Sequence, residues 1–345
     1  MPRARPAFRD RHVSSSHGSG GKAMHQLIDA VLLPALGGPE SDGADSAIIA
    51  LAGNGSPRLA FTTDAYVVSP LFFPGGDIGM LAVNGTINDL AMAGARPLAL
   101  SLGLILEEGL EIDAVRAIVA SAAAAAERAG VRIVTGDTKV VPRGKADKMF
   151  VHTSGVGFVR DGTALSAAAI RTGDVVLVSG SIGDHGMAVM LAREALELEA
   201  PIASDTAPLH GLVERLLDQV PETRVLKDPT RGGVASTLNE LARHGHRGIE
   251  ISEDRVPVRG AVRGACEILG LDPLHIANEG KLIAIVPPDR VGQALAALRA
   301  HPLGTDAAAI GVATDEPAGM VIVKTAIGGA RVLDMLVGDP LPRIC

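Results

Sequence analysis

Aromatic residues and cysteines are scarce in this sequence. Its 345 residues include no Trp, one Tyr and six Phe, so the core has to be built from Leu, Val, Ile and Ala. The scarcity argues against a single-stranded nucleic-acid binder, because such proteins stack bases on aromatic rings. The two cysteines, Cys266 and Cys345, are too few for a disulfide framework or a cysteine-rich zinc site.

An excess of positive charge and a long apolar run are also missing. The net charge of -7 at pH 7 removes the basic surface expected of a protein that binds nucleic acid or anionic membranes. No uncharged apolar stretch approaches about 18 residues, so we expect no membrane span. Basic residues near the start precede no apolar core. We therefore expect a disordered extension over residues 1–16, rather than a secretory signal, and a cytoplasmic protein.

The length and the alternation of strands and helices indicate two domains. At about 150 residues per domain, a chain of 345 residues holds roughly two. Strands interleave with helices in both halves, which predicts an α/β or α+β class without a solenoid repeat. We place an N-terminal domain at 17–170, a C-terminal α/β domain at 171–327 and an extended, mobile tail at 328–345.

Apolar periodicity predicts the individual elements. Helices are predicted over residues 22–36, 78–93, 113–129, 187–199, 209–220, 234–244, 259–269 and 290–301. Strands are predicted over residues 47–51, 59–63, 98–106, 131–135, 149–159, 175–178, 248–252, 282–286, 308–312 and 320–325. Gly37 and Gly38 are predicted to end the first helix.

A glycine-rich loop precedes the first predicted helix. It consists of His17, Gly18, Ser19, Gly20, Gly21 and Lys22. Glycines let the backbone approach an anion, and a helix N-terminus supplies N–H donors and positive potential. The loop is not a Walker A motif, because Ser16 and Ala23 occupy positions where that motif needs Gly and Ser or Thr. A flexible turn is the alternative interpretation.

Four carboxylates of the first half lie at or beside the ends of predicted strands and helices. They are Asp45, Asp64, Asp89 and Asp137. A single Asp at such a place usually forms a turn, but four in one domain favour a shared role. Hard oxygen ligands without a His or Cys cluster suit Mg²⁺, which is normally shared with substrate phosphates.

Three more polar side chains accompany these carboxylates. Asn84 and Asn88 form a polar stripe at i, i+4 spacing on the otherwise apolar helix that carries Asp89. Lys139 follows Asp137 by two residues, where a cation can neutralise charge on a transferring phosphoryl group. A solvated surface lysine is the alternative for Lys139.

The second half contains three motifs of interest. K-D-P-T-R-G-G, which includes Thr230 and Arg231, precedes a predicted helix and suits an anion. G-S-I-G-D-H-G at 180–186 follows a strand, but its glycine spacing does not match a dinucleotide fingerprint. A-N-E-G-K at 277–281 precedes a strand, and its Glu279 can act as a general base if burial raises its pKa.

The two cysteines occupy different settings. Cys266 shares an apolar helical face with Val262, Ala265 and Leu269, which indicates a core residue. Cys345 is the last residue, where folding does not require a thiol. Its own carboxylate raises the thiol pKa, so any activation has to come from another site or a partner. Chance placement is the alternative for Cys345.

Together these motifs resemble the HypE family of hydrogenase maturation factors. These are carbamoyl dehydratases of the superfamily that includes aminoimidazole ribonucleotide synthetase, selenophosphate synthetase and thiamine-monophosphate kinase. The resemblance runs from His17 to Cys345. The matching motifs are H-G-S-G-G-K, N-G-T-I-N-D-L-A-M-A-G-A-R-P, T-G-D-T-K-V-V, K-D-P-T-R-G-G, A-N-E-G-K and the specific terminal P-R-I-C. The stretch before His17 is longer than the family pattern leads us to expect.

The resemblance implies a fold and a set of ligands. The fold is a two-domain aminoimidazole ribonucleotide synthetase-like fold whose N-terminal sheets pair in a homodimer. ATP would bind with Mg²⁺, and the metal positions are Asp45, Asp64, Asp89 and Asp137, with Asn88 at a further matching position. The expected nucleotide contacts are His17, Gly18, Gly20, Gly21, Lys22, Asn84, Asn88, Thr230 and Arg231.

The resemblance also implies a reaction carried by Cys345. The carbamoyltransferase HypF would load a carbamoyl group on its sulfur, and the tail would enter the nucleotide site of its own or a neighbouring subunit. ATP would phosphorylate the carboxamide oxygen with help from Lys139, and Glu279 would remove the amide protons. The resulting cyano group would pass to iron on HypC and HypD for the nickel-iron hydrogenase centre.

Two alternatives remain open from the sequence. A sister enzyme of the superfamily is one, but a small-molecule kinase gives Cys345 no role. A selenophosphate synthetase usually has a reactive Cys or selenocysteine in its glycine-rich region, which His17 begins here. A non-catalytic nucleotide-binding scaffold is the other, and it would show no ATP turnover that depends on a carbamoylated tail.

Overall fold

A computed structural model describes most of the chain. The described residues are 10, 12–32, 35, 45–51, 57–194, 201–338, 341 and 343–345. Most of the predicted extension at 1–16, the glycines predicted to end the first helix and the last residues of the predicted helix 187–199 lie outside them. No helix among these ranges is long and apolar enough to cross a membrane.

The first half is built on a five-stranded sheet. Its elements are α1 (Lys22–Leu27), β1 (Ala47–Ala50), β2 (Arg58–Tyr66), β3 (Phe72–Phe73), β4 (Gly76–Asp77), α2 (Ile78–Met92), β5 (Ala95–Glu107), α3 (Ile112–Arg128), β6 (Arg132–Val141) and β7 (Met149–Val159). A π-helical turn at Ile28–Leu32 follows α1. The sheet order is β1-β2-β7-β5-β6, and β3 pairs with β4 separately. Only the β5–β6 pair of this sheet is parallel.

Helix α2 connects the two halves of the molecule. Thirteen of its 15 residues are buried, which is typical of a helix that packs against neighbours on every side. Asp77 begins the helix by accepting hydrogen bonds from the backbone N–H groups of Gly79 and Met80 at 2.8 and 3.1 Å. Its C-terminal residues Ala91 and Met92 belong to a core cluster of the second half. The polar residues of α2 therefore lie at the junction between the halves.

The second half is built on a seven-stranded sheet. Its elements are β8 (Val175–Val178), α4 (Asp184–Glu194), α5 (His210–Gln219), β9 (Val225–Lys227), α6 (Gly233–Gly245), β10 (Gly248–Ser252), α7 (Gly260–Leu269), β11 (Ile283–Val286), α8 (Val291–Arg299), β12 (Ala308–Thr314), β13 (Val321–Lys324) and β14 (Ala330–Leu333). The order is β14-β13-β10-β12-β8-β11-β9, and β10–β13 is the parallel pair.

The predicted fold class is confirmed, and one boundary is corrected. Most predicted helices and strands recur with shifts of a few residues at their ends, but the first predicted helix contains an α-helix over Lys22–Leu27 followed by the π-helical turn, and the strand predicted over 131–135 extends to Val141. The structure adds β3, β4, β9 and β14, and β14 lies inside the stretch that was predicted to be an extended tail from residue 328. Ala330–Leu333 pairs antiparallel with β13, so the last part of the chain leaves the sheet only after Leu333.

Candidate functional site

A cavity of about 310 Å³ lies between the two halves of the chain. It is lined by Met24, Asp45, Thr63, Asp64, Ala65, Gly85, Asp89, Asp228, Thr230, Arg231, Glu279 and Cys345. These residues come from α1, from the residues just before β1, from the end of β2, from α2, from the loop before α6, from the loop before β11 and from the chain terminus. Arg231 and Cys345 also line an adjoining cavity of about 490 Å³.

Crowded carboxylates form one wall of the 310 Å³ cavity. Burial and the neighbouring Asp228, Asp45 and Asp64 raise the pKa of Asp89 well above its ordinary range. Burial, with Asp45 next, raises the pKa of Asp228 to about 8. Asp89 accepts a hydrogen bond from the Thr62 hydroxyl at 2.6 Å. Because like charges disfavour ionisation, this wall would be stabilised by a bound cation.

Lys227 supplies positive charge beside this wall. Its ammonium pairs with Asp45 and lies 3.3 Å from a Glu240 carboxylate oxygen. Burial lowers the pKa of Lys227, but Asp45 and Glu240 outweigh that effect and the net pKa is raised. Sequence reasoning did not single out Lys227 or Asp228. Both could have been predicted as site residues, because they belong to the same K-D-P-T-R-G-G motif as Thr230 and Arg231.

The Glu279 side chain lines the 310 Å³ cavity, and one of its carboxylate oxygens makes no hydrogen bond to the described residues. Its side chain is buried, and Oε1 has no hydrogen-bond partner among the residues that the structure describes. The Asp205 carboxylate accepts from the Glu279 backbone N–H at 3.0 Å. Burial, then Asp228 and Asp64, raises the pKa of Glu279 well above its usual range. A carboxylate with a raised pKa is suited to act as a general base near neutral pH.

Cys345 lies in this cavity, next to Glu279. Burial raises the pKa of its thiol; Arg231 opposes the rise, whereas Glu279 and Asp64 add to it. Cys266, in contrast, is buried in the core as predicted, and its sulfur lies 3.6 Å from that of Met187. The chain terminus therefore brings a thiol to a buried carboxylate at the junction of the two halves.

The glycine-rich loop packs beside the cavities rather than in the acidic one. Gly18 and Ser19 line the 490 Å³ cavity. Gly20 has a φ of +73° and lies so close to Arg231 that a Cβ would be 2.6 Å from the Arg231 carbonyl oxygen. Lys22 pairs with Asp334. The buried His17 accepts at Nδ1 from the Ser14 N–H at 3.0 Å, and its Nε2 lies 3.1 Å from Asp10. Gly21 faces the carbonyl of Leu336.

The side chains of the two asparagines of α2 differ in how many hydrogen bonds they make. Asn88 donates to the carbonyls of Ala207 and Glu279, each at 3.1 Å, and accepts from the Leu209 N–H at 2.7 Å. These bonds fix Asn88 between the two halves, so the structure does not support it as a ligand contact. Asn84 donates to Thr206 at 3.2 Å. Its Oδ1 has no partner within the described part of the chain.

Asp137 and Lys139 do not join the acidic wall of their own chain. They are exposed on β6 and pair with each other at 2.6 Å, and the Lys139 hydrogen bond lowers the pKa of Asp137. In the sheet order, β6 lies three strands from β2, which carries Asp64. Strands lie about 4.8 Å apart, so the separation is roughly 14 Å. Sequence spacing could not reveal this distance.

Comparisons with known proteins identify the family. The AIR synthase related protein N-terminal domain matches residues 43–159, and the AIR synthase related protein C-terminal domain matches residues 171–324. The carbamoyl dehydratase HypE of Bradyrhizobium diazoefficiens is 53% identical over 341 residues, which cover 98% of this chain and 97% of that protein. The carbamoyl dehydratase HypE of Escherichia coli K12 is 47% identical over 338 residues, covering 97% and 99%.

Solved structures give the same answer. The chain is similar to a HypE–HypF complex, with a TM-score of 0.85, 45% identity and coverage of 90% of this chain and 99% of that one. It is similar to HypE in complex with ATP, with a TM-score of 0.81, 50% identity and coverage of 95% and 98%. The chain belongs to the AIR synthase related proteins and, among them, to the carbamoyl dehydratase HypE family of hydrogenase maturation proteins.

Proposed function

We propose that the carbamoyl group which this carbamoyl dehydratase acts on is carried by its own terminal residue, Cys345. One observation carries the proposal: the thiol lies in a cavity where Glu279 and a set of carboxylates converge. A thiol buried for packing alone does not need a buried carboxylate beside it. An S-carbamoyl group would extend from Sγ into the same cavity.

The reaction balances as a dehydration coupled to phosphoryl transfer. In R–S–C(=O)–NH₂ the oxygen accepts the γ-phosphoryl group of ATP, and ADP leaves. Loss of one N–H proton and cleavage of the C–O bond release phosphate, and loss of the second N–H proton gives R–S–C≡N. Phosphate is a far better leaving group than an oxide, so the oxygen has to be activated first.

We assign proton removal to Glu279. Its Oε1 has no partner within the described ranges, so that oxygen can accept an N–H proton from a carboxamide on Cys345. Arg231, whose guanidinium lies 3.9 Å from Asp64, supplies positive charge where the oxygen becomes negative. Thr230 lines the same wall just before α6. Both precede a helix N-terminus, which favours anionic groups.

The acidic wall fits a magnesium ion shared with phosphates. Among the described residues, no group of three or more His, Cys, Asp or Glu side chains could hold a metal ion by itself. Mg²⁺ characteristically takes one or two carboxylates and completes its shell with water and phosphate oxygens. Asp45, Asp64 and Asp89 are the carboxylates we assign to it. When bound, the ion neutralises phosphate charge and relieves the repulsion that raises the pKa of Asp89.

We further infer a homodimer formed by the five-stranded sheets. The sheet face opposite α2 keeps Phe61 and Phe158 exposed in the single chain, and an apolar patch of this kind favours a partner surface. Asp137 and Lys139 are exposed on β6 of this sheet. We therefore assign their predicted roles, as a metal ligand and a charge neutraliser, to a site shared across the dimer.

The proposed partners follow from the same chemistry. A carbamoyltransferase such as HypF would load Cys345, and HypC and HypD, which carry iron, would accept the cyano group. Cys266 and Cys345 are both free thiols. Free thiols persist in a reducing compartment, which supports a cytoplasmic location.

The test uses the full chain with HypF, carbamoyl phosphate, ATP and Mg²⁺, and measures ADP formation together with the intact mass. We expect Cys345→Ser to form no adduct, whereas Cys266→Ser, the matched control, forms one. Glu279→Gln should accumulate the carbamoyl adduct without losing water from it. Adduct formation by Cys345→Ser would overturn the tail assignment. A scaffold would form no ADP that depends on carbamoylation.

A further inference from the structure

The segment G-S-I-G-D-H-G at 180–186 has no part in the proposed chemistry, but it is hydrogen-bonded to the loop that carries Glu279. Gly183 N–H donates to the Asn278 side chain at 2.7 Å, and Gly186 N–H donates to the Ala277 carbonyl at 3.1 Å. A Cβ on Gly186 would lie 2.7 Å from Ile276. The glycines therefore allow close contact with A-N-E-G-K rather than with a dinucleotide.

His185, the second residue of α4, belongs to this motif and contacts the chain terminus. Its ring is fully buried, and Nε2 lies 2.7 Å from the Ile344 carbonyl oxygen. A carbonyl can only accept, so Nε2 carries the hydrogen. Nδ1 lies 2.8 Å from the Ser204 hydroxyl. That hydroxyl accepts from the Thr206 N–H at 3.1 Å and donates to Nδ1, which fixes the tautomer.

Arg193, two turns along α4, holds the preceding residue of the tail. Its guanidinium donates to the Arg343 carbonyl at 2.7 Å and to the Ser69 carbonyl at 2.9 Å. Ser69 N–H donates to the same Arg343 carbonyl at 3.1 Å, and Ile344 forms an antiparallel bridge with Val68. The tail is thus bound as a short added strand.

These bonds fix the position of the last residue. They are made to the backbone carbonyls of residues 343 and 344. They therefore fix the position of the backbone at the chain terminus and do not depend on the side chains of these two residues. The Ile344 side chain is buried, in the same core cluster as Met187 and Ile276. Cys345, one residue further, is the first that projects into the acidic cavity.

One short segment orients both the tail and the base. Ser204 hydrogen-bonds His185, while Asp205 accepts from the Glu279 N–H at 3.0 Å and from the Lys281 ammonium at 3.0 Å. A displacement of this segment would move His185 and Glu279 together.

We propose that His185, oriented by Ser204, is a positioning residue that docks the tail and sets Cys345 against Glu279. The contact has to open when Cys345 is loaded by another protein, so it divides the tail between a docked, reacting state and a released, loading state. The catalytic consequence rests on the proposed function, whereas the docking itself does not.

The first test measures alkylation of Cys345 by iodoacetamide in the full chain, without nucleotide, followed by peptide mass. His185→Leu removes the donor, and we expect alkylation to become roughly five- to tenfold faster, as for loss of one hydrogen bond. His185→Gln keeps an N–H donor near the Nε2 position and should fall between. His210→Leu, at a half-buried histidine away from the tail, is the matched control and should match the wild type.

Ser204→Ala and Arg193→Met keep the test decisive if His185→Leu does not fold. Each removes one bond of the docking contact, and each should accelerate alkylation by the same mechanism. An unchanged rate in folded His185→Leu, or in both of these variants, would overturn the proposal. So would equal acceleration in His210→Leu.

The second test separates docking from chemistry. With HypF, carbamoyl phosphate and ATP, we expect His185→Leu to be carbamoylated at least as fast as the wild type but to convert the adduct more slowly. His185→Gln should recover part of the conversion rate. If the wild type forms no cyano adduct, the proposed function fails while the alkylation result stands. If conversion is unaffected in His185→Leu, the positioning role fails.

Discussion

Burial raises the pKa of the Cys345 thiol, and two charged neighbours have opposite effects on it. Arg231 lowers the pKa, whereas Glu279 raises it further. Only the thiolate attacks an electrophile, so the docked tail keeps its sulfur in the protonated form. The released tail, which has lost these neighbours, would regain a more ordinary thiol reactivity. The reactivity of the Cys345 thiol therefore depends on whether the tail is docked or released.

The charges around Cys345 predict a pH profile. A free thiol of ordinary pKa 9.0 reaches its full alkylation rate somewhat above pH 9. Because the docked thiol has a raised pKa, the wild-type rate should still be rising there. Glu279→Gln should move the profile to lower pH and Arg231→Met to higher pH. The measurement is alkylation rate against pH without Mg²⁺ or nucleotide, and a common midpoint for all three proteins would contradict it.

At the scale of elements, the glycine-rich loop and the start of α6 support each other. Gly20 lies against the backbone of Arg231, Ser19 donates to the Gly338 carbonyl at 3.1 Å, and Lys22 N–H donates to the Leu336 carbonyl at 3.3 Å. The loop thus contacts Arg231 on one side and the first residues of the tail, Leu336 and Gly338, on the other. Its glycines serve close packing as well as any anion.

This packing predicts a difference between two glycines of one loop. Gly20→Ala places a Cβ against the Arg231 carbonyl in a left-handed backbone conformation, which should cost about 1–3 kcal/mol. Gly18→Ala meets nothing within 4 Å and should be nearly neutral. Thermal unfolding midpoints of the two variants and the wild type provide the measurement. Equal midpoints for the two variants would contradict the packing role of Gly20.

Sequence patterns predicted the buried central strands of the second sheet and missed its two edge strands. The buried strands V-V-L-V and I-A-I-V, β8 and β11, are apolar throughout and bounded by turn residues, so they are readable from composition. Strands β9 and β14 have three and four residues and lie at the two edges of the sheet. Their pairing depends on neighbours far away in the sequence, so tertiary context decides them.

The site was predictable to the same degree. Glu279, Arg231, Asp64, Asp89 and Cys345 were predicted from motifs, and the structure brings them to one cavity. The structure does not bring Asp137 and Lys139 there within the chain, because adjacency in sequence says nothing of strand order. The docking contact of His185 with Ile344 spans 159 residues, and no spacing rule reports a contact of that separation.

At the scale of the whole molecule, the two halves and the terminus close one site together. The first half contributes Asp45, Asp64 and Asp89, the second contributes Arg231 and Glu279, and the terminus contributes Cys345. Chemistry therefore requires that both halves be correctly packed along α2. The exposed sheet face of the first half is where we propose that a second copy of the chain binds.

The homodimer can be tested on this face. Phe61→Glu places a charge in the apolar patch and should convert a dimer to a monomer in sedimentation velocity. Ile327→Glu is the matched control, since Ile327 is 96% exposed and lies in the second half; it should leave the dimer intact. A wild-type monomer at micromolar concentration, or a dimer that survives Phe61→Glu, would contradict the assignment.

The most direct test follows the last sulfur through one cycle. The full chain is incubated with HypF, carbamoyl phosphate, ATP and Mg²⁺, and its C-terminal peptide is isolated and weighed. We predict a carbamoyl adduct on Cys345 that loses one water equivalent only when ATP is present. A carbamoyl adduct that never loses water, or a modification found on Cys266 instead, would contradict the central claim that the terminal thiol carries the reacting group.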